Sequence, residues 1–183
     1  MEKTSYSDQS RRKFIRKAAK GMLGASLTPA MLSAAAKEQK LQWLQRPEQY
    51  GPNDQVQIAL IGAGGMGNAD ADTCITVPGV KLVAACDLYD GRLEAAKKKY
   101  GTDIFVTRDY KEILARKDID AVIIATPDHW HKDISIEAMN SAKGVYCEKP
   151  MVRDISEGVS VIEAQNKNKA IFQVGSQGMS SLG

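Results

Sequence analysis

The stretch that most constrains the fold is a short apolar run that ends in closely spaced glycines. Residues 56–61 read VQIALI, and Gly62, Gly64 and Gly67 follow in the pattern G-x-G-x-x-G. In this pattern the first glycine makes a tight turn out of a strand, and the second lets the backbone approach a diphosphate. The third lets the following helix pack close to the strand, so that the helix N-terminus faces the anion. The stretch therefore predicts a strand–turn–helix unit that binds a dinucleotide.

From residue 56 onwards, short apolar runs alternate with longer segments of mixed polarity. Strands are predicted over 56–61, 80–86, 104–107, 121–125, 144–147 and 171–174, and helices over 66–77, 91–100, 109–116, 130–141 and 155–167. Asp109 and Asp154 stand where helix N-caps are expected. The run AVIIA at 121–125 is apolar throughout, which is typical of a strand covered on both faces of a parallel sheet. The pattern predicts an α/β fold with a doubly wound parallel sheet of the Rossmann type and strand order 3-2-1-4-5-6.

Asp87 ends the second predicted strand, 25 residues after Gly62. A carboxylate at this point can accept hydrogen bonds from both ribose hydroxyls of a dinucleotide, and it repels a 2′-phosphate. It therefore favours NAD over NADP as the cofactor. Two alternatives stay open, since Asp87 could be a simple turn or cap residue, and since the nearby Arg92 leaves some room for NADP.

The fourth predicted strand runs into Thr126 and Pro127, and the two histidines of the sequence, His129 and His131, follow. Ligands of a doubly wound sheet bind outside the carboxyl ends of its strands, so this loop is expected to line the cofactor crevice. Thr126, Pro127 and His129 are predicted cofactor contacts, and His131 is a candidate catalytic residue near the nicotinamide. The alternative is that either histidine simply caps the following helix. The H-x-H pair does not predict a metal site, because no third ligand is evident.

The fifth predicted strand ends in Cys147, Glu148, Lys149 and Pro150. A lysine beside a cationic nicotinamide has its charged form disfavoured, and it can then exchange a proton with a substrate hydroxyl as hydride moves. Lys149 is therefore a candidate catalytic residue, and the alternative is a surface lysine in a strand–helix turn. Gln177, just after the sixth predicted strand, is a weaker candidate for contact with the nicotinamide amide.

Three motifs together carry a resemblance to a known family: GAGGMG at 62–67, TPDHWH at 126–131 and EKP at 148–150. Their order and spacing resemble those of the Gfo/Idh/MocA family, NAD(P)-dependent oxidoreductases that act mostly on sugars, polyols and related compounds. The resemblance covers the sequence from residue 56 to the C-terminus. It implies that Lys149 is the catalytic lysine and that Glu148 contacts the cofactor. It also implies that Met66, next to Gly65 in the cofactor-binding turn, offers its backbone N–H to the diphosphate.

Members of the family continue after the sixth strand into a second α/β domain that binds substrate, whereas this sequence stops nine residues past Val174. The resemblance therefore implies the cofactor-binding part of an oxidoreductase that transfers hydride between a nicotinamide and a sugar- or polyol-like substrate. A homo-oligomer is expected only for a full-length parent. Two other functions stay open: an NAD-dependent glycosidase that works by transient oxidation and elimination, and a dinucleotide-binding module without catalysis.

The N-terminal segment is distinct from the rest of the chain. Positions 10–16 read SRRKFIR, and a modest apolar run over 21–36 ends in three alanines. Residues 1–36 resemble a twin-arginine signal peptide, and the run is too short and too interrupted to span a bilayer stably. Export to the periplasm through the twin-arginine machinery is expected, and the alternative is a basic amphipathic arm on a cytoplasmic protein. Residues 37–55 are a predicted linker or arm, and residues 56–183 are the predicted dinucleotide-binding domain.

The net charge of +3 is unevenly distributed. Residues 1–36 hold seven Lys/Arg against two Asp/Glu, or +5, which leaves −2 for the remainder. A nucleic-acid-binding surface on the folded part is therefore not expected. The three cysteines, Cys74, Cys86 and Cys147, show no metal-binding spacing. Cys86 and Cys147 fall on predicted strands three steps apart, about 14 Å, which is too far for a disulfide.

Overall fold

The structure, a computed structural model, describes residues 55–176; the predicted export signal, most of the predicted linker and Gln177 lie outside the described residues. One parallel sheet of six strands runs through this part of the chain: β1 (Val56–Ile61), β2 (Val80–Cys86), β3 (Phe105–Thr107), β4 (Ala121–Ile124), β5 (Gly144–Cys147) and β6 (Phe172–Val174). The strand order is β3-β2-β1-β4-β5-β6. This confirms the predicted fold class and strand order.

Five α-helices connect the strands within the described residues: α1 (Gly65–Ile75), α2 (Asp90–Tyr100), α3 (Tyr110–Ala115), α4 (His131–Asn140) and α5 (Gly158–Asn168). Two short 3-10 turns, Asp128–Trp130 and Ile155–Glu157, precede α4 and α5. The predicted helix boundaries agree with these to within three residues. The predicted N-caps are confirmed, because Asp109 accepts a hydrogen bond from Lys111 N at 2.9 Å and Asp154 accepts one from Ser156 N at 2.8 Å. Glu157 completes a capping box with Asp154.

Helices cover both faces of the sheet, so the inner strands are buried on both sides. α1 and α2 pack on one face through Ala71 and Ala96, and α3, α4 and α5 pack on the other. In β4, Val122 and Ile124 face the second layer while Ile123 faces the first. Burying one such side chain stabilises the fold by roughly 1.5–3 kcal/mol, so the apolar run of β4 anchors both layers. The continuous apolar pattern predicted this arrangement.

The amino end of the sheet is closed by a buried lysine. Lys143, just before β5, donates from Nζ to the main-chain oxygens of Arg116 and Ile119, the latter at 2.8 Å. These two oxygens belong to the segment that enters β4. The ammonium is thus satisfied by main-chain acceptors, and it ties the entrances of two neighbouring strands together. No helix within residues 55–176 is long and apolar enough to cross a membrane.

Candidate functional site

The turn after β1 can be formed only with glycine at its first position. Gly62 has φ +97°, and a Cβ placed there would lie 2.6 Å from the carbonyl carbon and oxygen of Ala125. Gly62 N also donates to Cys86 O at 2.8 Å, so the turn is joined to the end of β2. The β1 turn is therefore pressed between the chain leaving β2 and the chain leaving β4. This is the tight turn predicted from the glycine pattern.

The third glycine of the pattern brings α1 against the same turn. A Cβ on Gly67 would overlap the carbonyl oxygen of Gly62 and approach Ala125 Cβ to 3.1 Å. Asn68 holds the turn from the other side, donating from Nδ2 to Ala63 O at 2.9 Å and to Gly64 O at 2.8 Å. α1 begins at Gly65, and the main-chain amides of its first turn face the glycine turn. This is the arrangement by which a helix N-terminus binds an anion.

Asp87 lies directly after β2 and faces this turn. Its Oδ2 accepts a hydrogen bond from Ala63 N at 2.9 Å and one from Arg92 at 3.3 Å, and its Oδ1 accepts one from Tyr89 N at 3.0 Å. A carboxylate has about four positions that can accept a hydrogen bond, so these three bonds leave about one acceptor position of Asp87 for a ligand hydroxyl. The Arg92 bond is the longest of the three, and Arg92 is about half exposed. A ligand hydroxyl can therefore also replace Arg92 at Asp87.

A groove of about 470 Å³ extends from Asp87 to the loop after β4. Its lining includes residues from the carboxyl ends of β1, β2 and β4 and from the loops that follow them: Gly62, Asp87, Tyr89, Arg92, Thr126, Pro127, His129 and Trp130. The guanidinium of Arg92 lies 5.0 Å from the centre of the Tyr89 ring, which is 67% exposed. The groove thus offers a carboxylate, a cation and aromatic surface at one end.

The β4 loop supplies the predicted contacts of this groove. Thr126 and Pro127 line it, and the buried Oγ1 of Thr126 makes no hydrogen bond among the described residues. The His129 side chain is 51% exposed and lies beside Trp130, with ring centres 5.9 Å apart. These three positions are therefore open to a ligand, and their roles as cofactor contacts stay predictions.

His131 lies in a different environment from His129. Its ring is 1% exposed, with Nδ1 2.7 Å from Pro150 O and Nε2 2.8 Å from Thr126 O. Both nitrogens are thus occupied by main-chain oxygens, and the ring offers no free nitrogen to a substrate. This geometry shows a ring that connects two loops, and the predicted role of His131 in proton exchange stays a prediction.

The EKP segment follows β5 at the same edge of the sheet. Glu148 N donates to Ile124 O at 2.9 Å, so the end of β5 is aligned with the end of β4. Lys149 is exposed, and its peptide bond to Pro150 is cis. Glu148 is only 4% exposed, and a Cβ on Gly175 would overlap its Oε1. Lys149 is thus placed where a catalytic lysine is expected, whereas the Glu148 carboxylate faces inward, and both functional roles stay predictions.

Sequence reasoning missed one acidic residue near this edge. Asp70 lies on α1, and burial, together with the charge of Glu148 and a hydrogen bond to it, raises its pKa to about 6. Tyr146 adjoins the same pair, and burial followed by the charges of Asp70 and Glu148 raises its pKa. Helical spacing could have identified Asp70, since it lies three residues after Gly67 and one before Ala71, both of which are buried.

We expect the Asp70→Asn variant to gain thermal stability relative to the wild type as the pH rises. An acid whose folded-state pKa is raised contributes stability that is present at low pH and lost between its unfolded and folded pKa values, here about 4 and about 6. Thermal melts at about pH 5 and at about pH 7.5 should therefore show a larger advantage for Asp70→Asn at the higher pH. Asp103→Asn, an exposed control, should show no such change, and an equal advantage at both pH values for Asp70→Asn would contradict the pairing.

Metal ligands are not grouped in this part of the protein. Among residues 55–176 no cluster of three or more His, Cys, Asp or Glu side chains is arranged to hold a metal ion. The cysteines at 74, 86 and 147 are unpaired, and burial raises the pKa of Cys86 to about 12 and that of Cys147 to about 11. These thiols are therefore protonated and unreactive at neutral pH.

Comparison with known proteins identifies the relatives of this fold and site. The model of the oxidoreductase family with an NAD-binding Rossmann fold, GFO_IDH_MocA, matches residues 56–176. The inositol 2-dehydrogenase of Salmonella typhimurium is 35% identical over 122 residues, which cover 66% of this chain and 36% of that protein. A glycosyl hydrolase family 109 protein of Shewanella baltica is 31% identical over 124 residues, covering 63% of this chain and 27% of that protein. The chain spans about a third of the length of the curated relatives it matches.

The solved structures similar to this chain include a scyllo-inositol dehydrogenase from Lactobacillus casei with bound NAD(H) and scyllo-inositol. It aligns with a TM-score of 0.65 at 28% identity, over 70% of this chain and 38% of that one. The matched region contains the glycine turn, Asp87, the β4 loop and the EKP segment described above. The chain therefore belongs to the Gfo/Idh/MocA oxidoreductase family, and residues 56–176 form its NAD-binding Rossmann domain.

Proposed function

We propose that the protein is an NAD-dependent dehydrogenase of a polyol- or sugar-like alcohol. The observation that carries the proposal is the position of Lys149, at the same edge of the sheet as the glycine turn, Asp87 and the β4 loop. The similarity to an inositol 2-dehydrogenase supports the substrate class. A dinucleotide lying across the ends of β2, β1 and β4 would have its reactive end directed toward β5.

The residues present fit a dinucleotide. Gly64 and Gly65 present no side chain where a diphosphate would approach, and the amides that begin α1 would hold its charge. Asp87 would accept a hydrogen bond from the adenosine ribose, and the exposed ring of Tyr89 would provide apolar surface beside it. NAD bound here supplies the acceptor for a hydride from the substrate carbon.

Lys149 would act on the alcohol proton. A neutral amine accepts the hydroxyl proton while the substrate carbon loses hydride, so the alcohol becomes a carbonyl compound and the lysine becomes an ammonium ion. Thr126 and Pro127 line the groove next to this edge and would exclude water from it.

Net formation of NADH tests the proposed reaction. We expect the full-length gene product to raise the absorbance of NADH when it is mixed with NAD and a polyol from a panel that includes inositols. NADP in place of NAD should give the slower reaction, because Asp87 repels a 2′-phosphate. No NADH with any polyol or sugar, despite measurable NAD binding, would contradict the dehydrogenase assignment.

A glycosidase is the second candidate function, and the similarity to a glycosyl hydrolase family 109 protein supports it. Such an enzyme would oxidise its substrate transiently and reduce it again, so NAD would be regenerated in each turnover. Release of a sugar from a glycoside without any net change in NADH would favour this candidate.

We also propose that the protein is exported through the twin-arginine pathway, on the basis of the SRRKFIR segment at 10–16. That pathway transports folded cargo, so NAD would enter the periplasm already bound. Cell fractionation after replacing Arg11 and Arg12 by lysine tests this proposal: loss of the periplasmic pool is expected, and an unchanged pool would contradict it.

A further inference from the structure

One buried ring connects two loops of the site. His131 is the first residue of α4, and its imidazole extends from the β4 loop to the segment after β5. Nε2 lies 2.8 Å from Thr126 O, and Nδ1 lies 2.7 Å from Pro150 O. Both distances are those of well-formed hydrogen bonds. The ring therefore spans from the groove wall at Thr126 to the residue directly after Lys149.

The chemistry of these contacts requires a donor at this position. A main-chain carbonyl oxygen can only accept, so each contact is a hydrogen bond when the facing ring nitrogen carries hydrogen. The ring is 1% exposed, so water cannot easily replace it. A neutral imidazole carries one N–H, so a side chain without donors would lose that hydrogen bond in a shielded place, and such a loss carries a penalty of about 1–3 kcal/mol.

The β4 loop and the segment after β5, which His131 connects, are each attached to the rest of the fold by a different contact. Thr126 is held against the glycine turn, because its N lies 2.8 Å from where a Cβ of Gly62 would be. The segment after β5 leaves the sheet at Glu148, whose N–H bonds to Ile124 O at 2.9 Å. Past that bond the chain turns through Lys149 and Pro150, and His131 holds Pro150 to the β4 loop. The position of the Lys149 main chain relative to the cofactor groove thus depends on the ring.

We propose that His131 is a positioning residue that fixes Lys149 relative to the β4 loop. It is proposed to touch neither substrate nor cofactor, and to act through the main chain of Pro150, which directly follows the lysine. The proposal rests on the proposed function, since it assumes that Lys149 accepts the substrate proton. It replaces the catalytic role that the sequence predicted for His131.

Nuclear magnetic resonance of the ring nitrogens tests the contacts themselves in the unaltered 183-residue chain. The sequence has two histidines, so the exposed His129 serves as an internal control. We expect a His131 ring N–H that exchanges slowly with solvent and shows coupling across a hydrogen bond to the carbonyl carbon of Thr126 or Pro150. A His131 ring N–H that exchanges as fast as that of His129 would overturn the proposal.

Kinetics of five variants of the full-length gene product test the action through Lys149. We expect His131→Phe to lower kcat by about a hundredfold while the KM for NAD stays within about threefold, because misplacement of about 1 Å can have that effect. His131→Gln, which keeps a donor, should recover part of the loss. Met139→Leu, a buried change of similar volume on the same helix, should leave kcat unchanged. In a Lys149→Ala background, His131→Phe should have no further effect on kcat.

The outcomes separate the two proposals. If Lys149→Ala lowers turnover and His131→Phe does not, the positioning role is wrong and the proposed function stands. If the effects of the two changes multiply in the double variant, His131 acts independently of Lys149 and the positioning role is again wrong. If Lys149→Ala leaves turnover unchanged, the positioning role fails together with the proton-accepting role of Lys149, and NADH formation alone then tests the dehydrogenase assignment. Should His131→Phe not fold, the partial recovery in His131→Gln and the exchange measurement decide the question.

Discussion

Replacing Gly67 by alanine is expected to weaken NAD binding by at least about a hundredfold. The added methyl group would overlap the carbonyl oxygen of Gly62 and press on Ala125, so α1 would have to move away from the turn. Overpacking of this kind typically requires about 1–3 kcal/mol, and the displaced helix amides would also leave the diphosphate. A loss of about 3 kcal/mol of binding free energy corresponds to a hundredfold change in Kd. Isothermal titration calorimetry with NAD measures it.

The control for this prediction is Gly91→Ala, because a Cβ at Gly91 meets no atom within 4 Å. Gly91 lies in the first turn of α2, where alanine is the better helix former. This variant should bind NAD normally and melt at the wild-type temperature or slightly above it. Thermal melts of Gly67→Ala show whether the fold survives. Wild-type affinity in a folded Gly67→Ala variant would mean that the diphosphate does not lie on this turn.

Replacing Lys149 by alanine is expected to lower turnover by about 10²–10⁴-fold, the usual contribution of a general acid or base. The side chain is exposed at the edge of the sheet, so its removal leaves no buried cavity and little change in stability is expected. The KM for NAD should change far less than kcat, since the glycine turn and Asp87 are intact. Initial rates of NADH formation across a range of substrate and NAD concentrations separate the two effects.

Lys98→Ala is the matched control, because Lys98 is also exposed but lies on α2, away from the carboxyl end of β5. Its turnover should equal that of the wild type. A Lys149→Ala variant within tenfold of the wild-type turnover would remove the lysine from the reaction. In that case the proton acceptor would have to come from another part of the full-length protein.

The order of the strands could be predicted because local sequence dictates it. Continuous apolar runs such as β4 occur where a strand is covered on both faces, and a glycine turn between strand and helix sets the start of a doubly wound sheet. The carboxyl edge of such a sheet collects the residues that follow each strand. The sequence alone therefore predicts that Asp87, Thr126 and Lys149 lie at one edge of the sheet.

Whether an individual loop side chain is buried or exposed was harder to predict from the sequence. His129 and His131 are two residues apart in one loop, yet one is half exposed and the other is sealed. The difference arises because the 3-10 turn Asp128–Trp130 delays the start of α4 to His131, and a pattern of apolar residues does not reveal that delay. Tertiary contact with Pro150, which is distant in sequence, then completes the burial.

The face of the sheet on which the Glu148 side chain lies could have been predicted from the alternation of side chains along β5. Side chains two residues apart along a strand share a face, so Glu148 continues the face of Tyr146, toward α1. Asp70 lies on that helix and adjoins the same carboxylate. Combining the strand period with the helix period would have located this acidic pair, whereas the motif alone directs attention to a cofactor contact.

The two lysines near the ends of β5 differ in their access to solvent. The ammonium of Lys143 is enclosed by the main-chain oxygens of Arg116 and Ile119, whereas Lys149 is exposed at the other end of the strand. Amine-reactive labels applied to the native protein are therefore expected to modify Lys149 and not Lys143. A fluorophore coupled at Lys149 would report on the carboxyl edge of the sheet, while Lys143 at the opposite end of β5 would stay unmodified.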